Sequence, residues 1–165
     1  MSAARRLLIV GGIGLALLGM IYGLWYAVFA EHQALEGIGK SLATGFSAAA
    51  ERNSAAAGSA LQRYSELKYA YDRHVDVHGH WIGLAMVLII LGIALDRANL
   101  KEQAKMLLAS GLVLGSFLFP LGVLLQTFSR GPLPQALAVA GSGLVIVTLA
   151  GMTMGFARVR TGDET

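Results

Sequence analysis

Asp72-Arg-His-Val-Asp-Val-His-Gly-His80 runs straight into Trp81-Ile-Gly-Leu-Ala-Met-Val-Leu-Ile-Ile-Leu-Gly-Ile-Ala-Leu95, and the junction decides how the chain is read. The apolar run behind the histidines is fifteen residues long. At 1.5 Å per residue it covers about 22 Å, short of the roughly 30 Å of a bilayer's hydrocarbon core. A spanning helix must therefore recruit about five residues from its N-terminal side, and these carry His78 and His80. Ionisable groups at that depth are costly and mark a candidate site. Three of the four histidines and two of the ten acidic residues fall in the nine-residue stretch.

Working outward, three further apolar runs appear at 7–30, 106–128 and 133–157, each long enough to span with some tilt. With the helix over 75–95 they predict an all-α integral membrane protein of four transmembrane helices. Composition agrees. Of 165 residues 55% are hydrophobic and 14% charged, where a soluble domain carries about 25%; the mean hydropathy is +0.61. The first run is too long for the apolar core of a cleaved signal peptide and lacks a small-x-small cleavage pattern. The absence of cysteine excludes disulfides, thiolate metal sites, iron–sulfur clusters and covalently attached haem. The +3 formal charge belongs to helix flanks, so no nucleic-acid partner is inferred.

Those flanks set an orientation. Arg5 and Arg6 precede the first run, Arg97, Lys101 and Lys105 separate the second from the third, and Arg158 and Arg160 follow the fourth. Four spans place all three clusters on one side, which the positive-inside rule makes cytoplasmic. Both termini are expected there. The segment 31–73 and the turn Ser129-Arg-Gly-Pro-Leu-Pro134 then face outward, into the periplasm of a bacterial inner-membrane protein. Tyr22, Trp25, Tyr26 and Trp81 are expected to form an aromatic belt at that interface.

Segment 31–73 is periodic. Leu35, Ile38, Leu42 and Phe46 repeat at helical spacing, as do Leu61, Tyr64, Leu67 and Tyr71. Glu51-Arg-Asn-Ser54 is polar, with Asn53 or Ser54 as N-cap of a second arm. The reading is an extramembrane helical hairpin between the first and second spans, its arms continuous with them. His32 and His74 each lie twenty-one residues from Asn53, so a turn centred there returns both to one level. Gly19-x3-Gly23, Gly111-x3-Gly115 and Gly151-x3-Gly155 allow close approach of helices in lipid. Pro120 is expected to kink the third span, and Gln126 lies in its outer part, within reach of the histidines or of another helix.

On a continuous helix His74 and His78 share a face, while Asp72, Asp76 and His80 share another. Two arrangements follow. In one, His32, His74 and His78 hold a metal with an open position. In the other, Gly79 interrupts the helix, and His78 and His80 both point inward while Asp76 orients a ring from behind. Imidazoles with nearby carboxylates suit copper, zinc or iron, and a b-type haem between two histidines such as His32 and His78 is a further expectation. The His-x-His ahead of an apolar span resembles helices of the haem-copper oxidase membrane subunits over those few residues; a second histidine-bearing span and that family's other ligands are absent. The expected role is metal binding, electron transfer or assembly of a respiratory-type complex, in a homo-oligomer or with a membrane-complex partner. The alternative is a cofactor-free structural or accessory subunit docked on a larger membrane complex. No motif for a hydrolase nucleophile, a phosphate loop or a zinc protease is present.

Overall fold

The computed structural model describes residues 1–129 and 131–158. Among the described residues the chain forms five α-helices and no strand: α1 (Ala3–Phe29), α2 (Glu31–Ala50), α3 (Ser54–Ala94), α4 (Glu102–Leu125) and α5 (Pro132–Ala157). A 3₁₀ turn, Leu95–Arg97, follows α3. Four helices, all but α2, are long and apolar enough to cross a membrane.

The axis of the molecule is α3. No proline interrupts its 41 residues, so it runs unbroken for about 60 Å, twice a bilayer's hydrocarbon thickness. Gly79 does not break it, and the second of the two histidine arrangements, which required that break, is not formed. The helix passes from the polar stretch into the apolar one without a joint.

α1 and α2 together run antiparallel to α3, separated from each other only by Ala30 at φ −122°. Hydrogen bonds from Ala30 N to Tyr26 O and from Ala34 N to Ala30 O carry the ladder across that bend. The turn from α2 to α3 is tight for a local reason. Asn53 N–H bonds Ala48 O and Arg52 N–H bonds Ala49 O, the paired closure of a Schellman motif. Arg52 takes the left-handed position there, at φ 56°, and Asn53 Oδ1 then accepts from Ala56 N to cap α3. Gly37 faces Leu67 and Gly45 faces Ala60 along the paired arms.

Lower down, α1 and α3 meet through Leu8, Gly12, Leu15 and Gly19 on one side and Trp81, Ala85, Leu88 and Gly92 on the other, all buried. Lipid supplies no hydrophobic drive for this pairing, so small residues must bring the backbones close enough for dispersion to act. α4 continues through Pro120, which is buried and, lacking an N–H, omits one bond of the helical ladder, and the helix lies against both α1 and α3. α5 packs chiefly on α4. At Gly122 and Gly141 the backbones of α4 and α5 touch so closely that a Cβ would strike Ala138 N and Phe119 N.

The aromatic belt is corrected by this packing. Trp81 is 3% exposed and Tyr26 is 7% exposed, both inside the α1–α3 seam, while Trp25 alone of the four is largely exposed, at 48%. Tyr22 meets Trp81 edge-on, and Gly19 of α1 leaves room for the Trp81 side chain.

Candidate functional site

The histidines lie around the junction of α1, α2 and α3, and His74, His78 and His80 each find a different partner. His74 stacks on Tyr26, with ring centroids 4.6 Å apart. Its Nδ1 shares a hydrogen bond with Tyr22 Oη. One turn on, His78 donates from Nδ1 to the carbonyl of Gly19, at 2.9 Å. Its ring occupies the space that a side chain on Gly23 would fill. The pair Gly19 and Gly23 thus admits an imidazole as well as a helix backbone, a role that spacing alone did not reveal.

His80 points away from this seam. Its Nδ1 donates to the backbone carbonyl of Asp76, and its ring meets the edge of Phe119 on α4, 4.7 Å between centroids. His32 is exposed near the start of α2. Continuing the register of Gly37–Leu67 and Gly45–Ala60 brings it roughly level with Arg73. The height matches the expected convergence with His74, but His74 is turned toward α1. The carboxylate of Asp76 lies 3.7 Å from Arg73, and that of Asp72 is held by Lys68 at 2.6 Å. Among the described residues, no group of three or more histidines and acids is placed to hold a metal ion.

The division of faces is therefore as the helix period requires: His74 and His78 toward α1, His80 and Asp76 elsewhere. Tyr22, Tyr26 and Trp81 complete a compact aromatic cluster around the first two, with Tyr22 edge-on to Trp81 at 5.4 Å. Two polar atoms in it, Tyr26 Oη and Trp81 Nε1, are buried without a hydrogen-bond partner among the described residues. Gln126 meets no histidine; its Oε1 accepts from Tyr69 Oη at 3.3 Å, tying the end of α4 to α3. Further along α2, Lys40 bonds the Glu36 carboxyl and, by that bond and its charge, holds it below the usual range; the nearby His32 adds to the effect.

Chemically the arrangement is a set of satisfied imidazoles between helices. The Nδ1 atoms of His74 and His78 are committed to Tyr22 and to the Gly19 carbonyl, which fixes their rings and ties α3 to α1; that of His80 bonds within α3.

Comparison with protein-family models, with curated proteins and with solved structures gave no match. The fold itself defines the class: an all-helical integral membrane protein with four helices capable of crossing the bilayer.

Proposed function

We propose that this is a cofactor-free accessory subunit of the bacterial inner membrane, which holds a rigid two-helix stalk above the bilayer for a larger membrane complex to dock on. The observation that carries the proposal is the length of α3 together with what lines its upper half. About half of its roughly 60 Å exceeds the hydrocarbon core. The excess pairs with α2, whose charged and polar residues (Glu31, His32, Glu36, Lys40) do not suit lipid. On these paired arms Phe46 of α2 is 73% exposed and Leu61 of α3 is 64% exposed, with Leu35 and Leu42 continuing the stripe along α2. A groove of about 280 Å³ runs between them. Exposed apolar surface of this kind outside lipid marks a protein contact. The loop charges support a periplasmic stalk and cytoplasmic termini.

His74, His78 and His80 each have Nδ1 engaged by a tyrosine or a backbone carbonyl, while His32 is exposed. The test is the size of the particle in mild detergent. The wild-type protein is expected to migrate well above its 17.4 kDa, and Phe46→Asp with Leu61→Asp to release it as a monomer of unchanged helicity. A monomeric wild type rules the proposal out. Metal analysis and an optical spectrum of the same sample decide the competing role: stoichiometric copper, zinc or iron, or a Soret band, abolished by His78→Ala, returns the histidines to a cofactor.

A further inference from the structure

A second groove lies at the opposite end of the molecule, between α1 and α4. It encloses about 510 Å³ and is lined by Leu7, Gly11, Gly14, Leu18, Val113 and Phe117, with Ser110 contributing the one hydroxyl. A smaller hollow of about 430 Å³ adjoins it, sharing Leu7 and adding Arg6, Val10 and Met106. From Leu7 to Leu18 is eleven residues, about 17 Å along the helix. That is close to the roughly 15 Å depth of one leaflet's hydrocarbon.

The charges at its mouth are unequal. Arg5 is spent on Asp96 at 2.8 Å, and Lys105 on Glu102 at 3.2 Å. Arg6 is exposed at the end of the groove, and among the described residues its side chain makes neither an ion pair nor a hydrogen bond. An apolar channel one leaflet deep, closed at the headgroup level by an unpaired guanidinium, matches one amphiphile. We propose that the α1–α4 groove binds a single anionic phospholipid, its acyl chain along Gly11, Gly14 and Leu18 and its phosphate on Arg6. The inference rests on the helices spanning a bilayer. It uses no residue of the stalk. A basic residue at the cytoplasmic surface favours an anionic headgroup about five-fold, and a planar guanidinium adds a two-point match to phosphate.

Gly14 gives a clean blocking variant, because a Cβ there meets nothing within 4 Å. Gly14→Leu fills the channel without disturbing the helix pair. The protein is reconstituted in nanodiscs of mixed phosphatidylglycerol and phosphatidylcholine, and lipids retained after release are counted by native mass spectrometry. One retained phosphatidylglycerol is expected. Arg6→Gln should cut its preference over phosphatidylcholine about five-fold, Arg6→Lys should keep most of it, and Gly14→Leu should lower retention of both lipids. Equal retention of the two lipids by wild type, or unchanged retention in both Arg6→Gln and Gly14→Leu, overturns the inference. So does displacement of the lipid by millimolar inorganic phosphate, which would show an anion site with no acyl chain. Failure to enter nanodiscs at all would instead refute the bilayer-spanning reading beneath it.

Discussion

His78 owes its position to two glycines on the facing helix. The carbonyl of Gly19 accepts its Nδ1 proton, and the bare Cα of Gly23 leaves room for its ring. Gly23→Ala must push that ring aside and break the bond. The expected loss is about 1–3 kcal/mol, combining overpacking with an orphaned polar group. Gly39→Ala is the control, since its Cβ would stand in open space; it should be neutral or slightly stabilising, as alanine is the better helix former. Unfolding of both variants in mixed micelles measures the difference. Equal effects would mean that the seam has room to spare and that the imidazole is not held.

Between elements, the tightest contact is α4 against α5. Gly115 and Gly122 on one helix and Gly141 on the other allow backbone to touch backbone. Gly141→Ala cannot be absorbed by a side chain moving, because the obstacle is Phe119 N and its neighbours in the main chain. The helices must separate, at a cost of about 2–3 kcal/mol. Gly143, two residues on, faces nothing within 4 Å, and Gly143→Ala is expected to leave the thermal unfolding midpoint unchanged. In the stalk, a Cβ on Gly45 would stand 3.6 Å from that of Ala60, within the 3.5–4.5 Å that a disulfide spans. Cysteines at these two positions, in a chain with none of its own, should cross-link on mild oxidation. A free pair of thiols would show that the arms are splayed or out of register.

For the whole molecule, the charge distribution makes a topological claim that a reporter can read. A fusion after Thr165 should report cytoplasm, and an insertion at Asn53, in the exposed turn between α2 and α3, should report periplasm. The reverse pattern would invert the stalk and move the Arg6 groove to the outer leaflet. Arg130 and Arg160 lie outside the described residues, and Arg5, Arg6, Arg97, Lys101, Lys105 and Arg158 within them. Of these, Arg5 has a second duty: with Ser2 it binds Asp96, pinning the start of α1 to the end of α3.

Helix class, number of long apolar helices and the turn at Asn53 were legible in the sequence, because each depends on local chemistry: apolar run length, periodicity near 3.6, and a capping side chain. The division of the histidines between two faces of one helix was legible for the same reason. Which neighbour each face meets was not. That depends on the rotation of α3 about its axis relative to α1 and α4, which is set by where glycines let backbones approach, a property of pairs of helices and of no single stretch. So the sequence placed His32 and His74 at one height, and only the tertiary structure turned one toward α1 and left the other exposed. Trp81 and Tyr26 followed the same rule: their amphipathic rings suit an interface, but Trp81 packs against Gly19 of α1 and Tyr26 stacks on His74 of α3.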